Sequence, residues 1–375
     1  MKSSLRWNAV VALLGLALLC VFAFPLWERG VSGQNDFLQL YAGARLAGSP
    51  DLYNPEASKR IHREVTGGTN YLEGVYYTRL PFYALLLSPL ASLPYTNAYW
   101  IFQVISLSAV GSFLYFYTRL YPQALVAAAF SIALLVNFAN GQDSGIVTAI
   151  AGFSLLLARR RRDFLAGLLM SLAAIKFHLF LLVPLVVIAH RRWKYLLGGA
   201  AGGAVLLIVS TLTAGLDWPA QFLATVRSPE LHAGADRMTT LRNLVWFVTG
   251  GDHPPLELAL GLVSVVIILF CARRLLSFES AFALALLGGL LTAHHTYAQD
   301  LTLALLPAFL LAVHPASKPL RGLAFAAASP IPCLLLFLGH PLSVFVPVLL
   351  VAILIAGLAY VLDGQSGARS GNPVT

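Results

Sequence analysis

Apolar residues come in runs of about twenty along this chain, recurring from Asn8 to Leu362 between short polar connections. A bilayer core takes roughly that length of helix, and only helices or closed barrels satisfy every backbone polar group inside it. The pattern predicts an all-α, polytopic transmembrane helical bundle. One domain covers 1–362, followed by a polar cytoplasmic tail over 363–375. The first run, Asn8 to Trp27, follows Lys2 and Arg6 as a signal peptide would. It is long for an h-region and has no clear A-x-A site, so it reads as a retained first span.

Four connections are basic: Arg159 to Arg162, His190 to Lys194, Arg273-Arg274, and Lys318 with Arg321. The positive-inside rule places all four in the cytoplasm with the N-terminus. The remaining connections then face outward, including a long first outer loop over 28–80 and a late one over 217–253. Between the first outer loop and the arginine run lie four apolar stretches: Pro81 to Leu93, Ala98 to Thr118, Ala124 to Phe138 and Ser144 to Ala158. An odd number must span, so one is re-entrant or half-spanning. With eight later runs the total is about 12 spans.

Two breaks carry polar side chains to membrane depth. In the hairpin Phe164 to Ile188, about twelve residues flank Lys176 on each side and rise only about 18 Å. Lys176 and His178 therefore stop short of bulk water, where ionisable residues face a cavity and are functional by default. The same argument applies to Asn140-Gly141-Gln142-Asp143, which breaks the helical run before Ser144.

Composition agrees with the pattern. Of 375 residues 58% are hydrophobic and only 11% charged, against about a quarter charged in soluble domains, so no soluble domain is left over. The net charge of +9 is compatible with anionic headgroups or phosphate, but the basic residues are scattered between spans. Nucleic acid is not implied. Cys20, Cys271 and Cys333 lie in apolar runs at unrelated spacings, which supports neither disulfides nor zinc.

The stretch Gly33-Gln34-Asn35-Asp36-Phe37 opens the first outer loop and places a carboxylate just beyond the first span. Asp36 precedes a helical pattern, so it reads as an N-cap, as a general base beside a membrane cavity, or as both. A second helix starts at Asn54-Pro55 and presents Lys59, Arg60, His62 and Arg63, as a basic interfacial helix would. Arg79 lies where the loop re-enters the membrane, either as an anchor among belt tyrosines or as a forked phosphate contact. Lys176 and His178 are candidate phosphate contacts too, with Arg242 in the late outer loop a weaker one. His294, His295 and Asp300 gather at another outer span end and, with Gln142, are candidates for hydrogen bonds to sugar or phosphate. Two adjacent histidines and one aspartate without a third spaced ligand do not make a metal site, and no cofactor is expected.

These residues also resemble glycosyltransferase family 87, the membrane mannosyltransferases of GT-C architecture. The resemblance rests on Asn35-Asp36-Phe37 and the helix after it, Asp51 to Pro55, Leu80-Pro81-Phe82 and Ser88 to Pro94. In order it continues through Asn140-Gly141-Gln142, the helix Gly167 to Ile175 ending in Lys176, Arg191 to Lys194, and His295 to Asp300. It departs at Phe82 and at Phe177-His178, where the family usually has proline. The resemblance implies a hexosyltransferase in a bacterial cytoplasmic membrane with an outward-facing active site. It also implies a polyprenyl-phosphate sugar donor, mannose first, and a lipid-linked or cell-envelope glycan acceptor. Asp36 would be the base of an inverting displacement. A lipid or small-solute transporter and a surface-polysaccharide polymerase or ligase share the topology. The first needs access from both faces, and the second usually has a larger late outer loop.

Overall fold

The computed structural model describes residues 27–68, 76–228, 234–274, 277–313 and 316–369, with isolated positions between 10 and 21. The expected first span, Asn8 to Trp27, and the end of the tail beyond 369 lie largely outside the described residues. Every regular element among these residues is helical, with no strand.

Helices Tyr95–Leu120, Trp193–Ala214 and Pro254–Arg274, and the segment Leu342–Asp363, are each long and apolar enough to cross a bilayer. The pair Lys318–Ala328 and Pro330–Leu338, bent by 55°, is either a broken fifth span or a re-entrant loop. This supports a membrane helical bundle, with four or five candidate spans among the described residues where about 12 were expected of the whole chain. The shortfall has a visible cause, because other apolar runs are shortened or broken. Ser144–Arg159 and Phe278–Thr292 are shorter helices. The run from Asp163 to Met170 passes into a tighter 3-10 segment, Ser171–Leu179, where Lys176 leaves helical geometry at φ −129°, ψ 56°.

Contacts define two ends of the bundle. At one, Arg159 donates to the Tyr121 hydroxyl at 2.9 Å, and Arg192 bonds Asp163 at 3.1 Å while stacking over the Phe278 ring. Two of the basic connections therefore meet there. Since Asp163 and Arg192 are neighbours, the chain between them runs out to Lys176 and returns, as the spacing predicted. Helix Ser144–Arg159 leads from this end to the other, about 24 Å away at 1.5 Å per residue.

At that second end one of the four apolar stretches turns back. Tyr41 Oη donates to the Leu93 carbonyl at 2.8 Å, and Tyr95 Oη donates to Asn35 Oδ1 at 3.1 Å. Arg79 lies at the same end, as its partners below show. Pro81–Leu87 and the 3-10 turn Ser88–Ser92 thus leave and return on one side. The Phe82 amide, donating to Ser210 Oγ at 3.2 Å, ties this segment to the 193–214 helix.

Close packing relies on glycine at two backbone crossings. A Cβ on Gly167 would overlap the Tyr195 carbonyl, and one on Gly198 the Phe164 carbonyl, so helices 163–170 and 193–214 meet with no side chain between them, as small residues allow in membranes. The basic helix Pro55–Thr66 begins as expected, with Asn54 Oδ1 accepting from the Glu56 and Ala57 amides at 3.0 and 3.4 Å. Its apolar face is not turned to lipid. Ala57, Ser58, Ile61 and His62 are buried in the protein, leaving only the charged face outside.

Candidate active site

At the end of the bundle away from the arginine-rich connections, side chains from five separate segments meet. The first is the turn before helix Phe37–Arg45. Here Asn35, not Asp36, does the capping work. Its Oδ1 accepts from the Phe37 amide at 2.9 Å and its Nδ2 donates to the Gly30 carbonyl at 2.9 Å. Asp36 sits at the helix start but makes no cap hydrogen bond with its side chain, so the carboxylate is left for other contacts. It is half-buried, and its Oδ2 accepts from Gln142 Nε2 at 2.7 Å.

Gln142 belongs to the second segment, the turn between helices Ile132–Ala139 and Ser144–Arg159. This turn is docked on the first, because the Phe37 amide donates to the Asn140 carbonyl at 3.1 Å. Gly141 makes that approach possible. Its φ is +59°, and a Cβ would stand 2.5 Å from Phe37 Cβ, so glycine is required for both conformation and space.

The remaining segments bring charge. Arg79 is buried and forks onto Asp143, with Nε to Oδ2 at 2.9 Å and Nη2 to Oδ1 at 3.2 Å. Lys176, at the break in its helix, is 3% exposed. Its ammonium lies 2.6 Å from Asp300 Oδ1, 2.7 Å from Ser144 Oγ, 3.1 Å from Gln142 Oε1 and 3.2 Å from Asp143 Oδ1. Ser144 also donates to Asp300 at 2.8 Å, and the other oxygen of Asp300 accepts from the Tyr297 amide at 3.0 Å. Buried charges persist only when paired and hydrogen-bonded. Here two cations and two carboxylates, Asp143 and Asp300, balance one another behind Asp36.

The imidazoles of His178 and His295, both half-buried, stack with ring centroids 5.4 Å apart, and His294 meets His295 edge-on. Burial holds His295 down to about 4, ahead of the opposing pull of Asp300, so it is neutral at neutral pH. Burial acts on Asp36 in the opposite sense. It raises the carboxyl above its usual range, against the Gln142 hydrogen bond and the positive charges of Lys176 and Arg79. A base whose affinity for a proton is raised towards working pH is better suited to proton transfer.

Of the residues expected from the sequence, Asp36, Arg79, Gln142, Lys176, His178, His295 and Asp300 are brought together. His294 lies at the edge of the group. Arg242 makes no hydrogen bond to this group: its Nε and Nη2 bond Asp252 at 3.2 and 2.7 Å, while its Nη1 is buried without a hydrogen-bond partner among the described residues. Asp143, Ser144 and Asn35 were not singled out from the sequence. Asp143 carried a signal, as a carboxylate in the same helix-breaking turn as Gln142. Among the described residues no group of three His, Cys, Asp or Glu side chains is placed to hold a metal ion.

A cluster of paired buried charges behind a half-buried carboxylate, at one end of a helical membrane bundle, is the arrangement of an integral-membrane protein with a buried reaction or binding centre. Residues 77–296, more than half of the chain, match glycosyltransferase family 87. The chain belongs to that family and is a membrane glycosyltransferase. No curated protein and no solved structure matches it. The matched stretch contains Arg79, Gln142, Asp143, Lys176, His178 and His295, whereas Asp36 and Asp300 lie outside it on either side.

Proposed function

We propose that this glycosyltransferase moves a hexose, mannose first, from a polyprenyl-phosphate donor to a lipid-linked or cell-envelope glycan acceptor. The site faces outward from a bacterial cytoplasmic membrane. The observation that carries the reading is the state of Asp36: a half-exposed carboxylate held at one oxygen by Gln142, in front of two buried cations. In the reaction an acceptor hydroxyl attacks the anomeric carbon while its proton passes to Asp36. The bond from that carbon to the phosphate oxygen breaks, and polyprenyl phosphate leaves as an anion, with inversion.

Arg79 and Lys176 are already saturated by carboxylates, so their part is a fixed positive field, preorganised for the charge on the leaving phosphate. His178 and His295, half-exposed at the same pocket, are the nearer candidates for hydrogen bonds to phosphate or sugar. A carrier with a polyprenyl tail suits a pocket built into an apolar bundle. The orientation follows from the basic connections lying at the opposite end from Asp36.

Membranes carrying the wild-type protein or Asp36→Asn, incubated with radiolabelled polyprenyl-phosphate mannose, test this. Loss of a general base typically lowers rate by about 10²- to 10⁴-fold, so Asp36→Asn should transfer almost no label while expressing normally. Because Asp36 makes no cap hydrogen bond, Asn should not unfold the helix start. Retention of more than about a tenth of wild-type transfer would reject Asp36 as base.

A further inference from the structure

The amide of Gln142 is used at both ends, and its orientation is forced. Oε1 accepts from Lys176 Nζ at 3.1 Å and Arg79 Nη2 at 3.4 Å, while Nε2 donates to Asp36 Oδ2 at 2.7 Å. Turning the amide over would set an NH₂ against two cations and a carbonyl against a carboxylate. Neither cation can accept a hydrogen bond, and an ionised carboxylate cannot donate one. Gln142 is itself buried, in a turn locked to the Asp36 loop by the bond from the Phe37 amide to the Asn140 carbonyl.

We infer that Gln142 is a positioning residue for the base: it occupies Asp36 Oδ2, leaves Oδ1 to receive the acceptor's proton, and couples the carboxylate to the Arg79–Lys176 cation pair. This rests on the proposal that Asp36 is the base. It assigns Gln142 a partner within the protein in place of sugar or phosphate.

The ionisable groups facing Asp36 are Arg79, Lys176 and Asp300, with the Tyr95 and Tyr297 hydroxyls close enough to act on it or be acted on. Against that constant background, removing the Gln142 N–H removes a contact that favours the ionised carboxylate. The pKa of Asp36 then moves further up. A merely structural glutamine would leave it where it is.

Two measurements with Gln142→Met, which keeps length and bulk, test the assignment. With labelled polyprenyl-phosphate mannose, kcat/KM at neutral pH should fall about 10- to 100-fold, the range of one hydrogen bond to a charged group. Its acidic limb should move up by about one pH unit, so the deficit narrows as pH rises. A deficit equal at every pH, or none, would overturn the inference.

The second measurement needs no turnover. Unfolding of detergent-solubilised protein is followed from pH 4 to 8 for wild type, Gln142→Met, Asp36→Asn and the double variant. Gln142→Met should destabilise more at pH 8 than at pH 4, because the bond it removes favours the ionised carboxylate. That pH-dependent part should vanish in the Asp36→Asn background. A loss independent of pH, or one surviving Asp36→Asn, overturns the inference whatever the chemistry of Asp36 proves to be. High transfer by Asp36→Asn would instead remove the base reading alone.

Discussion

Breaking the Arg79–Asp143 pair from one side should be far more damaging than removing both charges. Asp143 is fully buried and Arg79 is 7% exposed, joined by two hydrogen bonds of 2.9 and 3.2 Å. Arg79→Met would leave Asp143 with a share in Lys176, already held at 2.6 Å by Asp300. Two buried carboxylates would then compete for one ammonium. Removing one partner of a buried pair typically costs about 3 to 5 kcal/mol, whereas replacing both by apolar groups of similar volume is near neutral. Arg79→Met and Asp143→Leu should therefore each destabilise strongly. The double variant should unfold within about 1 to 2 kcal/mol of wild type, a favourable coupling of several kcal/mol between the substitutions. Chemical unfolding of the four proteins in one detergent, at one pH, gives the cycle. Transfer activity should stay low in the double variant, because Arg79 Nη2 also reaches the Gln142 amide. Arg79→Met with wild-type stability and only weakened donor use would refute the argument, and would make the guanidinium a substrate contact.

Other expectations follow from single residues. Gly141→Ala must take φ +59° and push into Phe37. Positive φ costs a non-glycine residue about 1 to 2 kcal/mol, and displacement of Asp36 should lower kcat about tenfold or more while leaving expression intact. Gly198→Leu should abolish folded protein, since its side chain would enter the Phe164 backbone, which size-exclusion chromatography in detergent reads directly. His62 is buried with neither ring nitrogen partnered, and burial lowers it to about 4. The unfolded chain then binds the proton more readily. Stability should fall as pH drops from about 6.5 to about 4, by at most about 3 kcal/mol, and His62→Leu should flatten that slope. Because burial raises Asp36, transfer should decline on acidification at a pH above the usual carboxylate range, a limb absent from any residual activity of Asp36→Asn.

The helical class and most members of the candidate cluster were legible because their signals are local. Runs of about twenty apolar residues, and a lone Lys176 or Asp36 beside them, stand out without knowledge of the fold. The half-spanning segment was not legible. Pro81 to Leu93 is as apolar as its neighbours, and only the bonds of Tyr41 to Leu93 and of Tyr95 to Asn35 show that it returns to the side it left. Arg242 shows the same limit from the other side. It precedes an apolar stretch as a site residue would, and nothing local shows that Asp252, ten residues on, takes up two of its nitrogens. The basic helix from Pro55 to Thr66 shows both charge and amphipathicity in sequence, yet nothing local says whether lipid or protein covers its apolar face.

Asp143 shows what one chain alone conceals. A sequence lists cations and carboxylates separately, so Arg79 and Lys176 read as free claws for phosphate. In the fold Asp143 and Asp300 neutralise them, and the pocket carries a surplus negative charge whenever Asp36 is ionised. If the donor is an anionic polyprenyl phosphate, as proposed, net charge does not draw it in, and its apolar tail must supply most of its affinity. The buried pairs act later, as charge moves onto the leaving oxygen. Charges fixed by carboxylates and by the Gln142 amide need no rearrangement at that moment, which is what makes such electrostatic stabilisation effective. The same fixity accounts for Asp36 sitting at the front. It is the member of the group held on one oxygen only, and so the carboxylate with a lone pair left for a proton.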